Sequence, residues 1–327
     1  MILITGGAGF IGSVLQAALS AEGQRTVVAD RLRDSGKWRN LAGHPPDEIV
    51  PPEELDGWLA AHKRLDAVVH LGAVSATTAV DGDHTWANNV ALSQRIWRWC
   101  AAHDVRLIYA SSAATYGDGS CGFDDDGSLT YLQRLRPLNL YGWTKHAFDL
   151  WVARQLAAGG AAPPFWAGLK FFNVYGPNEY HKGSMISVVK VKYDEVAQGL
   201  APRLFRSGRA DLADGAQMRD FIWVDDVVAV MRWLLTTENV PSGLYNLGTG
   251  QARTYLDLAH AVCRAAGVAE AAEFIPMPQA LRGQYQNFTE ASTLRLRAAG
   301  YRRSFTTLEE GVTRYVREYL RGPSPYC

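Results

Sequence analysis

Short apolar runs alternate with helix-length segments through the first half of the chain. Residues 1–5 (MILIT), 25–30 (RTVVAD), 65–73 (LDAVVHLGA) and 105–112 (VRLIYASS) predict strands, with helices near 11–22 and over 88–103 (NNVALSQRIWRWCAAH). The strand runs are apolar at consecutive positions and rich in Val and Ile. Such strands are buried on both faces, as in a parallel sheet covered by helices on each side. Residues 168–176 (GLKFFNVYG) predict a later strand of the same sheet. Beyond about residue 177 the order weakens: a helix over 184–199, a basic segment over 201–221, then a strand and turn over 243–250 (GLYNLGTG). The expectation is a doubly wound parallel α/β domain over residues 1–170, joined by about 215–250, with a smaller carboxyl-terminal α/β domain over 171–327. GGAAPP at 159–164 reads as a surface turn, and no internal repeat or low-complexity tract is present.

Composition adds exclusions. The 327 residues are 47% hydrophobic and 20% charged, which fits a folded globular chain. Lys plus Arg equals Asp plus Glu at 33 each, so no basic footprint for nucleic acid or an anionic membrane stands out. Cys100, Cys121, Cys263 and Cys327 lack C-x-x-C spacing, and the first residues lack the form of a signal peptide. No run approaches the ~18–20 apolar residues of a membrane span. Together these predict a cytoplasmic protein with reduced thiols.

Chemistry enters with TGGAGFIG (5–12), which places Gly6, Gly9 and Gly12 after the first strand and at the start of a helix. Glycines there permit a tight turn and a close approach to a pyrophosphate, whose charge sits at the helix N-terminus. Asp30 ends the second strand, where an acid would bond an adenosine ribose as in NAD sites. Arg31, Arg33 and Lys37 follow, and a guanidinium fork suits a 2′-phosphate, which favours NADP. Further on, Tyr141 and Lys145 in YGWTK are four apart and share one face of a helix. A nearby ammonium favours a phenolate and lowers a pKa otherwise near about 10. Ser112, at the end of YASS, could hydrogen-bond the same substrate oxygen.

These residues resemble the extended short-chain dehydrogenase/reductase family, the nucleotide-sugar epimerases and dehydratases. The likeness runs over essentially the whole chain, through LGAVSATT (71–78), YASSAATYG (109–117), RPLNLYGWTKHAFD (136–149), FFNVYGPNEYHKGSM (171–185), RDFIWVDDV (219–227), YNLGTG (245–250) and GQYQNFTEA (283–291). It implies a Rossmann domain with a smaller substrate domain, and a homo-oligomeric enzyme. The finer phrases, HKGSM above all, imply an NADP-dependent epimerase of a nucleotide-linked heptose, acting by transient oxidation at C6″. Such a reaction needs an acid/base in each orientation of the sugar, and the resemblance gives Lys182 that second role opposite Tyr141. It further implies that Phe10, Ile11, Asp30, Arg31, Lys37, the loop Leu71, Gly72, Ala73, Val74 and Ser75, Asn88, Lys145 and Val174 meet the cofactor. Asn173, Ser184, Phe205, Arg206, Ser207, Gly208, Arg219 and Tyr285 would hold the substrate with Ser112, Arg219 as a diphosphate clamp. The chain departs from the family pattern in carrying Val191 where a histidine is common, VPPEE where a cofactor lysine is expected near residue 52, and a longer 205–219 stretch. His181 reads as structural, and Asp124, Asp125 and Asp126 as a solvated loop. An epimerase of another nucleotide sugar is the alternative. A non-catalytic dinucleotide sensor on the same fold is a third reading, and it would be expected to lose the Tyr141 and Lys145 pair.

Overall fold

The computed structural model describes residues 1–279 and 286–327, so Tyr285 lies outside the described residues. In chain order its strands are β1 (Ile2–Thr5), β2 (Thr26–Ala29), β3 (Glu48–Val50), β4 (Ala67–His70), β5 (Arg106–Ser112), β6 (Trp166–Phe171), β7 (Asn173–Tyr175), β8 (Arg203–Phe205), β9 (Met218–Trp223), β10 (Gly243–Leu247), β11 (Ala252–Thr254) and β12 (Glu273–Ile275). Seven of them form one sheet in the order β10-β6-β5-β4-β1-β2-β3, and every neighbouring pair is parallel. The strand order reverses between β1 and β4. That reversal opens a crevice at the carboxyl ends of the strands, where ligands of such sheets bind.

The continuous apolar runs are buried as predicted. Ile4, Val28, Val69, Ile108, Ala167 and Leu169 face one layer, formed with α1 (Phe10–Ala21) and the helix Val224–Thr236. Leu3, Val27, Val68, Leu107 and Tyr109 face the other, with the helices Leu92–Ala102 and α2 (Leu140–Ala157). Alternate residues pointing to opposite faces, both covered, explain why no polar stripe interrupts these strands. A three-stranded sheet, β11-β9-β7, and the pair β12-β8 form the second region. A third apolar cluster, including Tyr175, Trp223, Leu258 and Tyr315, packs there.

Three expectations change. The run 168–176 is not one strand: β6 ends at Phe171, Phe172 donates its N–H to Leu247 O at 3.1 Å, and β7 pairs with β9 in the other sheet. The helix expected over 184–199 is Val188–Ala197, capped by the Ser187 hydroxyl, and Tyr180–Met185 before it is a tight turn with Gly183 at φ 54°. Asp125 is not solvated. Its buried Oδ2 accepts the Asn246 N–H at 2.9 Å, so a residue of the acidic triplet anchors β10. The four cysteines are free, with Cys100 and Cys263 buried. Among the described residues no helix is long and apolar enough to cross a membrane.

Candidate active site

The glycine loop forms a cradle with no room for side chains. A Cβ on Gly6 (φ +69°) would lie 2.7 Å from Gly72 N, and one on Gly12 would lie 2.4 Å from Gly6 O. Gly9, the residue before α1, makes no side-chain cap, so the first N–H groups of the helix remain for a ligand. The backbone closeness and the free helix end both fit a dinucleotide pyrophosphate.

The loop after β4 is fixed from below by a chain of buried groups. Thr5 Oγ1 accepts the Gly72 N–H at 3.1 Å and donates to His70 Nδ1 at 2.6 Å, while His70 Nε2 donates to Ser93 Oγ at 2.9 Å. Burial lowers His70 to a pKa of about 3, so the ring stays neutral and relays these bonds. Asn89 accepts the Val74 N–H at 2.8 Å and donates to Val74 O at 3.0 Å and to Thr144 Oγ1 at 3.0 Å, joining this loop to α2. Neither His70 nor Asn89 stands out in the sequence. Asn88, the neighbour the family pattern marks, donates to His84 O at 2.8 Å, whereas Asn89 faces inward from the π-helical turn Ala87–Ala91. Leu71, Gly72, Ala73 and Val74 are half-buried and Ser75 is exposed along the cradle's rim.

Asn139 begins α2 by accepting the Gly142 N–H at 2.8 Å, which puts Tyr141 in the first turn. Gly142 lets the helix approach the 113–116 turn, since a Cβ there would stand 2.7 Å from Ala114 O. Tyr141 is thereby brought to Ser112 at the end of β5, and the Ser112 hydroxyl acts on the phenol. Lys145, one turn on, is buried and donates to Ala110 O at 2.8 Å. The predicted depression of the Tyr141 pKa is not seen. Burial raises it, with the Ser112 bond pulling the other way, because the Lys145 ammonium is directed at a carbonyl of β5. Lys145 itself falls to about 8, through burial first, with the Asp149 charge opposing. Behind it, Asp149 accepts from Lys170 Nζ at 2.8 Å and Ser111 Oγ at 2.7 Å, all buried, and Lys170 also donates to Thr115 Oγ1 at 2.7 Å. This buried pair ties α2, β5 and β6 together beneath Ser112 and Lys145.

The polar run after β7 is built into the protein. Asn178, buried at φ 70°, donates to Ser13 Oγ at 2.9 Å and accepts the Cys327 N–H at 3.1 Å. Glu179, fully buried, accepts from Ser187 N at 2.6 Å, Ser187 Oγ at 2.5 Å and Tyr315 OH at 2.9 Å. His181 shares the Asn40 amide at 3.2 Å, and burial lowers its pKa to about 4. Lys182 is half-buried, its ammonium 5.1 Å from the centre of the Phe10 ring. Desolvation lowers its pKa, opposed by the Glu179 charge.

At the ribose end Asp30 accepts from Ala8 N at 3.0 Å, Arg31 N at 2.7 Å and Lys37 Nζ at 2.6 Å. Arg31 bonds Glu53 at 2.6 Å. Of the remaining candidates, Asn173 and Ser184 are exposed, Val174 half-buried, and Ile11 half-buried at the start of α1. Arg219, buried, donates to Met218 O at 2.8 Å and stacks over Tyr255. Its neighbour Asp220 instead accepts from Thr249, Gly250 and Ala291. Phe205 ends β8, and Ser207 closes the loop after it by accepting the Arg209 N–H and bonding Asp214 Oδ1 and Leu212 O, with Arg206 and Gly208 exposed.

A pyrophosphate cradle at the β1–α1 turn with a Ser-Tyr-Lys cluster beside it defines a dinucleotide enzyme acting on a hydroxyl-bearing carbon. The model of the NAD dependent epimerase/dehydratase family matches residues 2–248, and the chain belongs to that family. It is a nucleotide-sugar epimerase in kind, with a nicotinamide dinucleotide as its cofactor. It is 49% identical over 331 residues, 100% of both chains, to the ADP-L-glycero-D-manno-heptose-6-epimerase of Nitratidesulfovibrio vulgaris (strain DP4). To the protein of that name from Fusobacterium nucleatum subsp. nucleatum it is 43% identical over 336 residues, again 100% of both chains. Among solved structures, the Helicobacter pylori ADP-L-glycero-D-manno-heptose-6-epimerase is 27% identical with a TM-score of 0.77, covering 97% of this chain and 95% of that one. The Thermus thermophilus UDP-glucose 4-epimerase in complex with NAD is 28% identical with a TM-score of 0.75, covering 98% of this chain and 99% of that one.

Proposed function

We propose that the chain interconverts the two C6″ epimers of an ADP-linked glycero-manno-heptose, in the cytoplasm, for the inner core of lipopolysaccharide, with NADP as cofactor. When bound in the glycine cradle, a nicotinamide dinucleotide would supply the hydride chemistry at C6″. Tyr141 moves the proton at the C6″ oxygen in one orientation of the sugar, with Ser112 bonded to the same oxygen. Lys145 holds the cofactor ribose beside the phenol. Lys182 moves the proton when the aldehyde has turned over, since one fixed group cannot serve both orientations. Asn173, Ser184 and Arg219 grip the sugar and its diphosphate, guanidinium forks matching phosphate oxygens. Arg31 and Lys37 beside Asp30 receive the 2′-phosphate.

The observation that carries this reading is Lys182: a half-buried amine of lowered pKa on a fastened loop against the dinucleotide cradle. A lysine serves as a base where burial or a neighbouring cation lowers its pKa, and burial does so here. The test is an NMR product assay with ADP-, GDP- and UDP-linked sugars offered side by side. Inversion at C6″ of the ADP-heptose alone is expected. Inversion at C4 of a hexose would transfer the reading to another nucleotide sugar.

A pH dependence follows from Lys145. Its buried pKa is about 8, below that of a free lysine, so the ammonium is present below that pH and is lost as pH rises through it. Dinucleotide affinity is therefore expected to fall by about tenfold per unit above pH 8 if the ammonium form alone holds the ribose. Fluorescence titration at pH 7 and pH 9 checks this. Equal affinities at both values would remove Lys145 from the ribose contact.

A further inference from the structure

Two cations and two carboxylates meet where β2 and β3 end, and they cancel in charge. The strands run parallel, and Asp30 N donates to Val50 O at 3.2 Å, which carries the chain after β3 alongside the chain after β2. Lys37 is taken by Asp30 at 2.6 Å, in a pair whose side chains are 17% and 10% exposed. Arg31 is taken by Glu53, with two guanidinium nitrogens on Oε1 at 2.6 Å, in a pair 39% and 60% exposed.

The two pairs differ in how easily they can be exchanged. Asp30 also accepts two backbone N–H groups, so its bond to Lys37 is part of the fold of the loop. Among the described residues Arg31 is the side chain that pairs with the Glu53 carboxylate, and exposed pairs of this kind contribute little to stability. A phosphate gripped through that same Nε–Nη2 edge has to displace the carboxylate. Burial is negligible at Glu53, and a backbone hydrogen bond, then Arg31, holds its carboxyl below the usual range, so it is charged at neutral pH.

We infer that Glu53 is a specificity-determining residue: its carboxylate competes with a dinucleotide 2′-phosphate for the Arg31 guanidinium and holds down the preference for NADP over NAD. The inference rests on the reading that the adenosine ribose lies at Asp30. Removing the carboxylate frees Arg31 for the phosphate, while NAD, which presents only a 2′-hydroxyl there, gains nothing comparable.

The experiment is calorimetric titration of the full-length protein with NADP and with NAD, for the wild type, Glu53→Gln, Arg31→Ala and the double variant. Circular dichroism serves as a check on folding. Glu53→Gln is expected to tighten NADP by about fivefold or more, as charge-assisted bonds allow, and to leave NAD within about twofold. In the Arg31→Ala background the same change is expected to move NADP by less than about twofold. An unchanged NADP affinity, an equal gain for both dinucleotides, or a full gain without Arg31 would overturn the inference. A wild type that binds NAD more tightly, with NADP still tightened by Glu53→Gln, would end the NADP assignment and leave the role of Glu53 standing.

Discussion

Tyr141→Phe is expected to lower epimerisation by about 10²–10⁴-fold, the usual contribution of a positioned acid or base. The fold and the dinucleotide affinity should survive, because the ring stays where Asn139 and Gly142 set it and only the hydroxyl is lost. The residue's environment explains the size of the effect. Burial raises the phenol and Ser112 alone offsets it, so the resting group is a neutral acid. It can give a proton to a forming alkoxide at once. Taking one back would need added positive charge nearby, which an oxidised nicotinamide would supply. Steady-state turnover of the epimer pair, with calorimetry on the same preparation, is the measurement. Near wild-type turnover would remove Tyr141 from the chemistry.

Lys182→Met should abolish interconversion of the two C6″ epimers while changing dinucleotide affinity by no more than about thirtyfold. The contact at risk is the ammonium over the Phe10 ring, and such contacts contribute about 0.5–2 kcal/mol. Tyr141 would still act on one orientation of the sugar. Single-turnover reduction of a C6″ aldehyde analogue should therefore persist and yield mainly one epimer, and Tyr141→Phe with Lys182→Met should stop that too. A solvated surface lysine forecasts otherwise, a change below about twofold. The surroundings argue against that forecast. Glu179, three residues earlier, is fully buried with three hydrogen bonds, and Asn178 is fastened to α1 and to Cys327. Near-normal epimerisation by Lys182→Met would sink the second acid/base.

The central sheet was legible because burial on both faces leaves unbroken Val and Ile runs, a signal that lies within five or six residues. The glycine cradle and the Tyr141 and Lys145 pair were legible for the same local reason, whereas the Asn139 cap that sets Tyr141 in the first turn was not. What escaped depends on partners distant in sequence. Phe172 reads as strand interior, yet a hydrogen bond to Leu247 marks where the chain leaves one sheet for another. Asp125 reads as solvated until Asn246 is placed beside it. Asn89 and Asn88 are alike on paper, and a π-helical turn decides which faces the 71–75 loop. The cations after Asp30 read as free for a phosphate, because nothing local announces that Glu53 arrives 22 residues later along a parallel strand.

The edge strand β10 comes from residues 243–247, after the chain has already left the sheet at Phe171 and built β7, β8 and β9 elsewhere. Its partner β6 must therefore wait, one edge unpaired and Leu169 uncovered, until some seventy residues more have emerged during synthesis. Pairings across such separations form late, and an open strand edge is a template for association with other chains. A fragment ending near residue 170 would consequently be recovered as aggregate and not as a free-standing dinucleotide-binding module. The two regions are therefore expected to fold together, and grafting either onto another protein would need both crossings of the chain.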